Sequence, residues 1–190
     1  MTLEEIQKLS IEADKRNALL NSTLKDTICQ AKESGMHESF IRFLDAYDKY
    51  ETKNKTPIFF NKGATEEQIV EFENEFNVKI PEVYRKILKF SNGFDAFEAC
   101  VFFYGIDRNN KHSCMSVTSP KAFHNVYNID VPEDMDMSDG LLVVGEEFDP
   151  AICINLINHE VTVWDHEVSC VCIYGDFYSY LEDCIDNFED

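Results

Sequence analysis

The sequence predicts an α+β fold, a mostly antiparallel sheet flanked by helices, with an N-terminal helical hairpin extension. Three observations carry that expectation. Apolar residues recur three and four apart along the chain up to Gly93. Short apolar runs of strand type then follow one another between residues 100 and 174. Helical spacing returns after Asp176.

Thr2 and Glu5 form a capping-box pattern ahead of a broken apolar stripe of Ile6, Leu9, Ala13, Leu20, Leu24, Ile28 and Ala31. Ser34 and Gly35 stop that helix, and a second one carries Phe40, Ile41, Leu44 and Tyr47 at helical spacing. The polar run 52–57, Thr-Lys-Asn-Lys-Thr-Pro, reads as a linker. Residues 1–56 are therefore expected to be a helical extension with its linker, packed on the main domain or on a partner. Residues 57–190 are expected to form the main domain.

The stretch 65–93 is the most informative. Thr65 caps a helix, with Gln68 completing a capping box. Ile69, Phe72 and Phe76 share one face, while Glu66, Glu67, Glu71, Glu73 and Glu75 take the others. Asn77 stops this helix. Pro81 pushes Ile80 toward an extended conformation and suits the first turn of the next helix, whose apolar stripe is Tyr84, Ile87 and Leu88. Ser91-Asn92-Gly93 ends it, with Gly93 free to turn left-handed.

Beyond Gly93 the rhythm changes. Residues 100–106 and 112–117 read as strands, 120–127 as a short helix and 141–145 as a buried central strand. Residues 151–156 and 160–164 read as a hairpin around Ile157-Asn158-His159, and 169–174 as a further strand. Asp176 caps a terminal helix with Phe177, Leu181, Cys184, Ile185 and Phe188 on one face.

The acidic helix, the turn Val78-x-Ile80-Pro81, then Tyr84, Arg85, Ile87, Leu88 and the stop Asn92-Gly93 resemble the opening of the SUKH superfamily, the Smi/Knr-like domains. Val161, Val163, Trp164 and Asp165 fit that family's later strand. The resemblance covers residues 57–190 and leaves out the first 56. It implies an antiparallel sheet with helices. It also implies a non-catalytic binding role: neutralisation of a toxin in bacteria, or regulation of cell-wall synthesis through protein contacts in fungi. Its shared residues Pro81, Asn92, Gly93 and Trp164 read as structural.

Charge is distributed unevenly. The chain carries a formal net charge of -19, yet residues 1–56 balance nearly evenly, with 9 Lys/Arg against 10 Asp/Glu. Residues 57–190 carry 8 against 26, and after Lys121 there are 17 Asp/Glu and no Lys or Arg. Such a surface repels phosphate backbones and anionic lipid, so no nucleic acid and no membrane is expected as a direct partner. A basic protein would be steered toward it. Acidity alone also serves solubility, which is the commoner reason for it. The first residues lack the basic start and apolar run of a signal peptide, no segment is long and apolar enough to span a bilayer, and seven cysteines is an odd number. A cytoplasmic protein with reduced thiols is expected.

Candidate chemistry is thin. Cys170 and Cys172 share one face of a strand, and Cys153 with His159 or His166 would complete a zinc set, but the paired CxxC knuckles are missing and cysteine is more often an apolar filler there. Residues 134–140 hold three aspartates before glycine, yet the sixth and twelfth positions of a calcium loop would be Asp139 and Gly145, so the register fails. Glu146, Glu147 and Asp149 would need burial to act as acid and base. Neither a phosphate loop nor a nucleophile elbow is present. No catalysis, no cofactor and no metal are expected.

The functional expectation is a non-catalytic immunity protein that binds and neutralises a cognate basic toxin, of nuclease type, from a bacterial polymorphic or contact-dependent system. The alternative is an intracellular scaffold of the cell-wall regulator type, docking through the helical hairpin. The expected partner-binding residues are Glu133, Asp134, Asp136 and Asp139 in one acidic loop, Glu146, Glu147 and Asp149 in a second group, and Phe97 and Tyr104 as aromatic anchors. Trp164 is expected as a core anchor.

Overall fold

Local signals and the observed helices coincide closely. The computed structural model describes residues 24–54, 59–97, 100–107, 115–127, 129–132, 135–147, 150–165 and 170–189. The stretch 2–23, with the first capping box, lies outside them. Residues 24–33 are helical (α1) and bury Leu24, Ile28 and Ala31. Donation from Met36 N–H to Ala31 O closes the turn at Ser34 and Gly35 before α2 (Glu38–Asn54) begins.

The capping box forms as expected. Gln68 N–H donates to Thr65 Oγ1 (3.3 Å) and Thr65 N–H to Gln68 Oε1 (2.9 Å), opening α3 (Glu66–Phe76). Asn77 ends it in the left-handed region at φ 51°. Pro81 sits one residue earlier than expected, as the N-cap of α4 (Glu82–Phe90) instead of its first turn. Its ψ of 139° keeps it outside the helix while its carbonyl accepts from Arg85 N–H at 2.9 Å. Gly93 then takes φ +92°.

The strands are β1 (Phe59–Phe60), β2 (Phe94–Ala96), β3 (Val101–Phe103), β4 (Ser116–Thr118), β5 (Leu141–Glu147), β6 (Ala151–Asn155), β7 (Val161–Asp165) and β8 (Cys170–Tyr174). Between β4 and β5 lies α5 (Pro120–Tyr127), and α6 (Phe177–Glu189) closes the chain. Every pairing among the described residues is antiparallel, in the order β1-β2-β3-β5-β6-β7-β8. The central strand β5 serves two neighbours on one side: β3 pairs with its residues 145–147 and β4 with its residues 141–143. A register shift between Val143 and Gly145 marks the change. A Cβ on Gly145 would stand 2.1 Å from Phe102 O, so only glycine lets β3 approach there.

Alternation divides the sheet into two faces. Leu142, Val144, Ile152, Ile154, Val161 and Val163 join the large core under the helices, whereas Leu141, Cys153 and Trp164 join Ile129 in a small cluster on the other face. Trp164 is buried, as expected, and its Nε1–H donates to Thr162 Oγ1 at 2.8 Å. Asp176 caps α6 by accepting from Ser179 N–H at 2.7 Å, and Phe177, Leu181, Cys184 and Ile185 are buried.

Two elements differ from expectation. The segment that carries Phe97, expected as an aromatic anchor for a partner, is internal: Phe94 to Ala96 form β2, and the side chains of residues 94–97 are all buried. The reason is α2, whose buried Phe40, Phe43, Leu44 and Tyr47 belong to the same hydrophobic cluster as the sheet. Phe43 meets Phe97 (5.3 Å between ring centroids), Phe103 (5.7 Å) and Phe94 (6.5 Å), all edge-on. Of the strand expected at 112–117, Ser116 onward is strand and 112–114 lie outside the described residues.

Candidate partner-binding surface

The acidic helix α3 and the proline turn are held together by one buried carboxylate. Glu73, expected on a solvated face, has a side chain only 2% exposed. Its Oε1 accepts from Arg85 Nη1 (2.7 Å) and Ile80 N–H (3.1 Å), and its Oε2 from Lys79 Nζ (2.8 Å). Burial pushes the Glu73 carboxyl up, but the Lys79 and Ile80 hydrogen bonds and the Arg85 and Lys79 charges outweigh it and hold it below its ordinary value. Arg85 and Lys89 both also bind Glu66. Next along the chain, Asn92 Oδ1 accepts from Ile106 N–H (2.7 Å) and the Tyr84 hydroxyl lies 2.7 Å from both Tyr104 O and Val144 O. The family-type residues thus act as internal fasteners between helix and sheet.

The expected site residues separate into distinct environments. Phe97 is corrected outright: it is fully buried, at φ 52°, stacked on Phe188 at 4.2 Å, and a partner has no access to it. Tyr104 is half-buried and donates to Glu146 Oε2 at 2.7 Å. Asp136 is exposed, its Oδ1 accepting from Ser138 Oγ (2.6 Å) and Ser138 N–H (2.8 Å), which hold its pKa down. Asp139 accepts from Asn155 Nδ2 (2.8 Å), which ties that loop to the β6–β7 turn. Glu133, Asp134 and Asp149 lie outside the described residues.

Glu146 and Glu147 are successive strand residues, so their side chains leave on opposite faces and do not form an acid–base pair. Glu147 turns toward α6, where the Tyr180 hydroxyl donates to it at 3.1 Å. Burial pushes its carboxyl up against that hydrogen bond, and the Asp183 charge adds to the rise. Cys153 does not join Cys172 in a zinc set, and His166 lies outside the described residues. Cys153 aligns with Thr162 and Thr162 with Ile173, which puts Cys153 and Cys172 on opposite faces. Among the described residues no group of three His, Cys, Asp or Glu is placed to hold a metal ion.

One surface feature was not anticipated. A groove of about 360 Å³ runs between α3 and the segment after β3, with Phe72, Phe76, Ile106 and Met115 beside the carboxylates Glu71, Glu75 and Asp107. The Glu-Phe repeat at 71–72 and 75–76 was its only trace in the sequence, because the second wall comes from residues far along the chain. Near α4 and the β6–β7 turn a second depression of about 400 Å³ includes Pro81, Glu82, Leu156 and His159. Ile157 at that turn is 73% exposed.

Fold and surface together define an α+β domain whose distinctive residues brace its own structure and whose surface is dominated by carboxylates. Residues 63–190 match the SMI1 / KNR4 family (SUKH-1), which is more than half of the chain, and the chain belongs to that family. No curated protein sequence matches it. No helix among the described residues is long and apolar enough to cross a membrane.

Proposed function

We propose that the protein is a cytoplasmic, non-catalytic immunity protein that binds and neutralises a cognate basic protein toxin, of nuclease type, from a bacterial polymorphic or contact-dependent system. One observation carries the reading: in a SUKH-family chain, the 69 residues after Lys121 hold 17 Asp/Glu and no Lys or Arg. Such a field attracts the cationic surface a nuclease uses for phosphates and repels the phosphates themselves. The contact residues of this reading are Tyr104, Glu133, Asp134, Asp136, Asp139, Glu146, Glu147 and Asp149. Packing of α2 supports it over the scaffold alternative, because the apolar face a docking hairpin would offer is consumed by the core.

The test is co-expression of the adjacent gene's product with and without this chain, scored by growth and by complex formation. Relief of toxicity with an association rate that falls at least about tenfold from low to high salt is the expected result. A harmless neighbour overturns the immunity reading, and a salt-independent rate overturns its electrostatic part.

A further inference from the structure

The turn between β6 and β7 puts an apolar side chain where turns are ordinarily polar. Asn155, 3% exposed, braces it from inside. Its Oδ1 accepts from Ile157 N–H at 2.8 Å and from Asn158 N–H at 3.3 Å. Its carbonyl accepts from His159 N–H at 3.0 Å, and His159 takes φ 66°, in the left-handed region that non-glycine residues rarely adopt. Asn158 Nδ2 donates to Glu160 Oε2 at 2.7 Å, and Glu160 N–H donates back to Asn158 Oδ1 at 3.0 Å. Ile157, at the end of this braced tip, is 73% exposed, and no other large apolar side chain among the described residues exceeds 44%. A single exposed isoleucine is ordinary on a protein surface. One held out on a rigid turn is preorganised for contact, because little freedom remains to be lost on binding.

The ground beside the tip is acidic. Asn155 Nδ2 donates to Asp139 Oδ2 at 2.8 Å and Leu156 N–H to Gly140 O at 2.9 Å, which ties the tip and residues 135–140 into one surface. A Cβ on Gly140 would stand 3.1 Å from Leu156 Cδ1, so the contact is close. On that loop Asp136 and Met137 are exposed, and Glu160 stands where the chain returns into β7. Cations come near at two points. Lys79, already paired with Glu73 at 2.8 Å, lines the depression beside Leu156 and His159, and Lys121 N–H donates to Met137 O at 3.4 Å. Asp136, Asp139 and Glu160 outweigh them, in a chain of net charge -19. A second copy would bring like charge to like, whereas a basic surface would meet a complementary field. We infer that the β6–β7 tip and the acidic loop tied to it form a docking surface, on which Ile157 enters an apolar notch rimmed by lysine or arginine on a basic protein partner. The inference deepens the proposed function by naming where the partner is held, and rests on that reading only for the partner being a protein. Ile157 then supplies the anchor and the carboxylates around it the selectivity.

The probe is an acetylated, amidated helical peptide of leucine and lysine, with its leucines on one face, titrated into the full ¹⁵N-labelled chain. A control peptide of equal charge carries glutamine in place of every leucine. The expected result is a change in amide shifts within residues 136–140 and 156–160, with binding about tenfold weaker for the control peptide and for Ile157→Ser. Ile157 packs little against its own chain, so the serine variant keeps its fold, which unchanged shifts in the other strands verify. The double variant Asp136→Asn with Glu160→Gln should bind more weakly and lose much of its salt dependence. Ile157→Ser binding as tightly as wild type, shifts confined to other elements, or no binding of the leucine–lysine peptide each overturn the inference. So does an Ile157-dependent dimer without peptide, which would assign the tip to a second copy. The growth assay shares no reagent with this titration, so either reading can fail while the other stands.

Discussion

Removing the Glu73 carboxylate should destabilise the fold by an amount that follows from its partners. In Glu73→Ala the Ile80 N–H, 5% exposed as a residue, loses its acceptor, and stranding a buried donor costs about 1–3 kcal/mol. Arg85, with a side chain 15% exposed, loses one of two carboxylate partners but keeps Glu66, so its loss falls below the roughly 3–5 kcal/mol of a fully broken buried pair. Lys79 is 84% exposed and adds little. The sum is about 3 kcal/mol, which for a chain of this length lowers Tm by roughly 6–12 °C. Trp164 is the only tryptophan and is buried on the opposite face of the sheet, so its fluorescence in a urea titration reports global unfolding and not local change at α3. Glu73→Gln retains an acceptor for Ile80 and should lose less. Because the folded pKa lies below the ordinary 4.5, the carboxylate's contribution is present above that value and disappears as pH falls through the folded pKa. The difference between wild type and Glu73→Ala should therefore shrink toward pH 3. A loss under about 1 kcal/mol at pH 7, or Gln as damaging as Ala, would refute the assignment of Glu73 as the fastener.

Glu147 has the opposite sign. Its raised pKa means that its ionisation opposes folding as pH rises from the unfolded value through the folded one, so Glu147→Gln should raise Tm at pH 7 and leave it unchanged near pH 4 in differential scanning calorimetry. Phe43→Ala, in α2 and outside the family match, should cost about 3–5 kcal/mol in urea because the emptied site is walled by the rings of Phe94, Phe97 and Phe103. A cost near zero would restore α2 to the status of a detachable extension.

Those residues also show what the sequence can and cannot carry. Thr65 with Gln68, Asn77, Pro81 and Gly93 were legible because a cap or a turn is decided within three or four residues. The β6–β7 hairpin and the stripe on α6 were legible for the same reason. Glu73 was misread because its partners stand 6, 7 and 12 residues away, beyond any helical period. Phe97 was misread because what buries it is α2 on one side and Phe188 on the other, from far ends of the chain. The acidic character of the surface was visible in composition; the groove beside α3 was not, since Ile106 and Met115 meet Phe72 and Phe76 only after the sheet has formed.

The contact between α2 and α6 has a consequence for how the chain is made. His37 stacks on Tyr178 at 3.7 Å, Tyr50 meets Phe188 at 5.9 Å, and Arg42 pairs with Glu182 at 2.5 Å. Helix α2 ends at Asn54 and α6 begins at Phe177, so on the order of ten seconds of elongation separates the two halves of one contact. Strands β5 to β8 pair with their sequence neighbours and can assemble as they emerge. The aromatic face of Phe40, Phe43 and Tyr47 cannot close fully in that interval. The nascent chain therefore carries an uncovered aromatic surface until α6 has emerged, and chaperones have that interval in which to bind it.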